Sequence, residues 1–234
     1  MSALGHYLEE EGIATVAISL VRPQTEKTRP PRALWVPFEL GRPFGPPGDP
    51  AFQRRVVLKA LGMLEHADGP VAIEDFAEDD PRERPDPAWQ PPLDPDDARS
   101  LEDEIAALDD AYRRSVETRG RSTVGLSGLS IGEVGRYIAS WLSSEDPASP
   151  VPGMSAPLAL RFAADDLKAY CLEAALADGG RPSSRQQMDW LWNATAAGAA
   201  LLALRQAYLG SADERLKLIA GNFLVPALRV PPGG

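Results

Sequence analysis

One cysteine and two histidines stand among the 234 residues of this chain. A single thiol excludes an internal disulfide framework and any Cys-x-x-Cys metal or redox motif within these residues. His6 and His66 have no ligand spacing to a cysteine or a carboxylate pair, so no metal site is expected. A cationic surplus is lacking too: 24 basic residues face 34 acidic ones, for a formal net charge of −10. An acidic protein gains no counterion-release energy from a phosphate backbone, so nucleic acid is not an expected partner. The longest apolar run, residues 194–204 with Gly198 inside it, falls short of the roughly 20 residues that cross a bilayer. Met1 is followed by neither a basic nor an apolar signal region, so we expect no membrane partner and a cytoplasmic location.

The negative charge is concentrated. Residues 65–110 hold seventeen acids against three arginines, a local balance of −14 that leaves the remainder at +4. Such a run reads as a solvated connector or as a docking strip for a basic partner.

Apolar spacing supplies the elements. Residues 2–11 read as a helix with Leu4, Tyr7 and Leu8 on one face, stopped by Gly12. Residues 13–21 are almost continuously β-branched or apolar, as in a parallel strand covered on both faces. Residues 33–37 form a second candidate strand. Asp49-Pro50 open a helix over 51–64 with Phe52, Val56, Leu61 and Leu64 on its apolar face. The expected order is therefore α-β-β-α. A helix feeding a parallel strand normally follows another strand; without one, the first helix would bare a face and the sheet a border. Residues 67–97 read as an acidic, proline-rich linker with a short edge strand at 71–76. Beyond it the pattern is helical: 98–118, 131–142 capped by Ser130 and Glu133, 156–176, 184–209 and 212–224, with breaks at 147–152 and 179–182. The fold expected is a partial parallel-sheet α/β unit (1–66), the linker (67–97) and a helical bundle (98–230), mainly α overall.

Few residues offer chemistry. Cys171 shares a helix face with Leu167, Tyr170 and Ala174 and reads as a small packed hydrophobe; the contrary reading is a lone redox thiol. Ser127, in Gly-Leu-Ser-Gly, lacks the spaced glycine and buried strand of a hydrolase elbow and reads as a turn. Residues 29–50 carry seven prolines and three glycines, stiff for a surface connection. Arg32, Glu39 and Arg42 lie there among Trp35, Phe38 and Phe44, either as an interlocked structural loop or as a pocket wall holding a charged small molecule. Glu26, in the loop expected after the long strand, is a further binding candidate, because ligands sit at the carboxyl ends of parallel strands.

Taken as a series, Gly12-Ile13-Ala14-Thr15-Val16, the strand at 33–36, Pro37-Phe38-Glu39-Leu40-Gly41-Arg42-Pro43 and Gln53-Arg54-Arg55 resemble the substrate-reducing component of the glycine, sarcosine, betaine and D-proline reductases. The likeness covers residues 1 to about 65; the helical part resembles the extension of a shorter branch related to them. The resemblance implies a selenolate or thiolate that attacks carbon and displaces nitrogen, with a small-molecule substrate and a dithiol electron donor as partners. It also implies a selenocysteine or cysteine, two residues and a cysteine immediately before the first helix, whose dipole would stabilise the anion. No such pair occurs here, so no catalytic residue or cofactor is assigned to this chain, and the selenocysteine is expected upstream of Met1, behind a codon read as stop. The competing expectation is a complete, non-catalytic binding or scaffold protein that uses the helical bundle. Homo-oligomerisation is compatible with either.

Overall fold

The computed structural model describes residues 2–65, 71–94, 97, 99–143, 147–177, 181–226 and 229. It divides into two compact units, Met1–Arg84 and Pro85–Gly234.

In the first unit, α1 (Ser2–Glu10) ends where the sequence says it should. Gly12 takes φ +83°, its N–H donates to the Glu9 carbonyl at 3.0 Å and the Ile13 N–H donates to Leu8 at 2.9 Å, closing the helix with a left-handed cap. Then follow β1 (Ala17–Ser19), α2 (Arg22–Thr28), β2 (Arg32–Trp35), α3 (Pro50–Gly62) and β3 (Ala72–Asp75). The three strands are parallel in the order β1-β2-β3. The observed order is α-β-α-β-α-β. Two expectations are corrected here. Residues 22–28 form a helix rather than a loop, started by Pro23 and stopped by Arg29 at φ +45°. The first strand is three residues long and half-buried, because it lies at the sheet border with one neighbour; Ile13 and Val21, the ends of the span expected as strand, are exposed and outside it. The segment at 71–76 is an edge strand as read, but it pairs with β2 and so belongs to this sheet.

Strand alternation sorts the side chains. Ile18, Leu34 and Glu74 share one register row, and on that face Leu34 and Val36 pack with Phe52, Val56, Ala60 and Met63. Phe38, Phe52 and Phe76 close this core, with ring centroids 5.5 to 5.9 Å apart. Burying each ring is worth about 1.5–3 kcal/mol. Asp49 caps α3 by accepting the Phe52 N–H at 2.9 Å, as expected. Leu61, expected on the apolar face of α3, is exposed.

Helix α1 has no buried residue, and Leu4 and Tyr7 are exposed. It is held by polar contacts. Glu9 Oε1 accepts from Thr15 N at 2.9 Å and Thr15 Oγ1 at 3.0 Å and pairs with Arg32. The Thr15 N–H is the largest influence on the Glu9 carboxyl; with Arg32 it outweighs the opposing effect of burial and lowers the pKa. A depressed carboxylate stabilises above its unfolded pKa and loses that contribution as pH falls through the folded one. Amide exchange at Thr15 is therefore expected to accelerate as pH falls through the lowered folded pKa of Glu9, beyond the intrinsic pH trend, and to be fast at all pH values in Glu9→Ala.

The second unit is helical: α4 (Leu101–Arg119), α5 (Ile131–Ser143), α6 (Ala156–Ala174), α7 (Ser184–Ala194), α8 (Ala196–Tyr208) and α9 (Glu214–Asn222). Leu108, Ile138, Leu160, Leu167, Leu201 and Leu204 are fully buried in one core. Ser130 and Glu133 form the expected box at the start of α5: Glu133 Oε2 accepts from Ser130 N at 2.8 Å. The helix expected over 184–209 is broken at Thr195, which is extended at φ −120° and ψ 148°. Thr195 Oγ1 accepts the Gly198 N–H at 2.9 Å, while Glu104 of α4 accepts from Ala196 N at 2.6 Å and Ala197 N at 2.9 Å. A carboxylate at the positive end of α8 satisfies donors that a continuous helix would have used internally. The expected break at 179–182 lies partly outside the described residues, as does His66. Among the described residues no helix is long and apolar enough to cross a membrane.

Candidate functional site

Register assembles a polar row at the carboxyl ends of the three strands. Ser19, Trp35 and Asp75 are partners across the sheet, so their side chains emerge on one face. Helix α2 starts three residues after Ser19 and lays its polar groups over this row. Arg22 Nε donates to Glu26 Oε1 at 2.8 Å, and the same guanidinium pairs with Asp75. Its carbon lies 5.4 Å from the centroid of the Trp35 ring. Hydrogen bonds to Asp75 first and Glu26 second push the Arg22 pKa up, so the cation persists at any physiological pH. Thr25, buried, links back to the hydroxyl of Ser19 and donates to the Val21 carbonyl at 3.0 Å. The Trp35 indole N–H is buried without a hydrogen-bond partner among the described residues.

One guanidinium thus faces two carboxylates beside an aromatic ring, at the sheet edge where open α/β folds hold ligands. The arginine can take a carboxylate in bidentate fashion. The surplus negative charge and the ring together favour an ammonium group.

The residues expected to bind are distributed as follows. Glu26 belongs to this cluster, from α2 rather than from a loop. Arg32 lies at the opposite, amino-terminal edge, paired with Glu9. The four-residue strand puts roughly 10 Å between Arg32 and the loop that carries Glu39 and Arg42. Arg42 lies 3.8 Å from Glu83, and its N–H donates to the Glu39 carbonyl at 3.0 Å, a local turn. That loop is interlocked: Phe38 is core, Gly45 at φ +82° lies against the Phe52 ring where no Cβ would fit, and Gln53 Nε2 donates to the Pro46 carbonyl at 2.9 Å. Phe44 is exposed.

Arg22 and Asp75 were not singled out from sequence. Arg22-Pro23 after an apolar run is a usable sign of a helix start at a strand's carboxyl end. Asp75 carries no comparable sign, since only the parallel register brings it to Arg22.

The amino end of α1, where the resemblance puts the reactive pair, lies elsewhere. Ser2 Oγ donates to Thr28 Oγ1 at 2.8 Å and His6 Nε2 meets the Arg29 carbonyl at 2.7 Å. That is the carboxyl end of α2, roughly 10 Å of helix from Arg22.

In the helical unit Cys171 is fully buried, as its apolar neighbours suggest. Burial first, and the Glu104 charge second, push its thiol pKa well up, so no nucleophilic thiolate arises there. Ser127 is buried in a turn and donates to Asp166 Oδ2 at 2.5 Å. Among the described residues no three His, Cys, Asp or Glu side chains gather as a metal site. No protein-family model matches this chain, and neither curated proteins nor solved structures provide a match.

Proposed function

We propose that this chain contributes the small-molecule-binding part of a selenolate- or thiolate-dependent reductase of the glycine, sarcosine, betaine and D-proline type. The ligand sits at the carboxyl edge of the parallel sheet. The Arg22 cluster is the observation that carries this reading: a fixed guanidinium, two carboxylates and an indole ring suit a compact zwitterion. Arg22 takes the ligand's carboxylate, Asp75 and Glu26 attract its ammonium, and the Trp35 ring covers its carbon skeleton. These residues bind and orient. The reductive chemistry requires a chalcogen other than Cys171, whose burial denies it both a substrate and a dithiol donor.

Calorimetric titration of the 234-residue chain with glycine, sarcosine, betaine and D-proline tests the reading. At least one is expected to bind saturably, and Arg22→Met is expected to weaken it ten- to a hundredfold, the loss of a charged hydrogen-bonded partner of about 1.5–3 kcal/mol. Arg32→Met is expected to leave the affinity unchanged. Binding by none of the four, or equal binding by Arg22→Met, contradicts it.

A further inference from the structure

The helical unit carries a cavity of about 270 Å³ that the preceding reading does not use. Its floor is hydrocarbon from Ala169 and Leu172 of α6 and from Leu176 just past the end of that helix, and its rim includes Arg119, Arg121 and Thr123 from the end of α4 and the segment after it. Glu173 also lines it and is 5% exposed. Oε1 of Glu173 accepts from Thr123 N at 2.8 Å and Thr123 Oγ1 at 2.7 Å, and Oε2 lies 3.1 Å from an Arg119 nitrogen.

The Thr123 contacts hold Glu173, while Arg119 meets it as an ion pair only: Oε2 is buried and accepts no hydrogen bond among the described residues. A guanidinium has five N–H donors in a planar fork, and Glu173 engages one of its nitrogens. Arg121 is exposed and has no ion pair or hydrogen bond among the described residues. Burial tends to raise the Glu173 pKa, but the hydrogen bonds from Thr123 and Ser122 and the Arg119 charge together outweigh it and lower the pKa. Two cations over one anion leave the cavity with a surplus of one positive charge, on a chain whose net charge is −10. The Ser122 hydroxyl is already engaged, with Tyr112 Oη at 2.8 Å and the Val124 N–H at 3.0 Å.

We propose that this cavity binds a small monocarboxylate with a short aliphatic body. The carboxylate lies between the guanidinium groups of Arg119 and Arg121, and the hydrocarbon lies on Leu172 and Leu176. One surplus charge matches a monoanion. The apolar floor rewards a tail that a strongly hydrated anion such as phosphate lacks. The volume falls below the roughly 300–1,000 Å³ of sites that take drug-sized ligands, which limits the occupant to a few carbons.

Hexanoate, acetate and inorganic phosphate, each titrated into the full chain at constant ionic strength and followed by amide chemical shifts, provide the test. Hexanoate is expected to give saturable shifts at Thr123, Leu172 and Leu176, with at least fivefold weaker binding of acetate and weaker binding still of phosphate. Arg121→Gln is expected to weaken hexanoate at least tenfold while leaving the melting temperature unchanged, because Arg121 is exposed. Phosphate or acetate binding as tightly as hexanoate, an unaltered affinity in a folded Arg121→Gln, or shifts confined to other residues would each overturn the proposal.

Discussion

Replacing Asp166 by alanine is expected to lower the stability of the helical unit by about 2–4 kcal/mol, more than any surface substitution in the chain. Asp166 is fully buried on α6 and collects donors from the segment between α4 and α5. Oδ1 accepts the N–H groups of Gly125 and Leu126, both at 2.8 Å, and Oδ2 accepts the Ser127 N–H at 2.9 Å and its hydroxyl at 2.5 Å. Gly125 and Leu126 are exposed and can rehydrate when the carboxylate is lost, whereas Ser127 is 2% exposed and is left with unmet donors. That difference keeps the expected loss below the sum over four hydrogen bonds. Urea denaturation is expected to show a lower midpoint with an unchanged slope, and amide exchange is expected to accelerate first at residues 125–127. Asp166→Asn is expected to recover only part of the loss, since its amide nitrogen meets donors rather than acceptors. An alanine variant within 0.5 kcal/mol of the parent would show that the buried carboxylate does not hold this segment.

The second large effect belongs to Gly198. A methyl group there would overlap the Leu191 carbonyl oxygen and lie 3.0 Å from Trp192 Cα, both backbone positions of α7 that no rotamer change can move aside. Gly198→Ala is expected to destabilise by about 3 kcal/mol, the upper part of the range for overpacking, despite the higher helix propensity of alanine. Gly210→Ala is the internal control: nothing lies within 4 Å of its added methyl, and stability is expected to change little. Thermal melting of both variants separates the close approach of α7 and α8 from a general effect of removing glycine. Equal melting temperatures would contradict that approach.

Both sites also mark what a linear reading could reach. Gly12, Asp49-Pro50 and the Ser130–Glu133 box were legible because each acts within about four residues, where side chain and backbone settle the matter locally. The break at Thr195 was not, because the apolar spacing runs on through it. Its local sign, the Thr195 hydroxyl accepting the Gly198 N–H, is weak beside that spacing, and the break is completed by Glu104, about ninety residues away, which accepts the first N–H groups of α8. Helix α2 escaped notice for a different reason: Arg-Pro-Gln-Thr-Glu-Lys-Thr has no apolar stripe and buries only Thr25. For the same reason Glu26 could be marked as a polar group following a strand, while its partners could not. Arg22 and Asp75 meet only because Ser19, Trp35 and Asp75 fall in one row of the sheet. Arg32 and Arg42 attracted attention as charges among aromatic residues and prove to be engaged by Glu9 and Glu83.

The carboxyl edge of the sheet is the place where we propose that this chain holds a small zwitterion. An amide chemical-shift map of the full chain during titration with betaine, recorded beside Arg22→Met, addresses that most directly. Saturable shifts centred on residues 19–26, Trp35 and Asp75, absent from the variant, are the predicted result. Shifts confined to the helical unit, or identical maps for the two proteins, would contradict it.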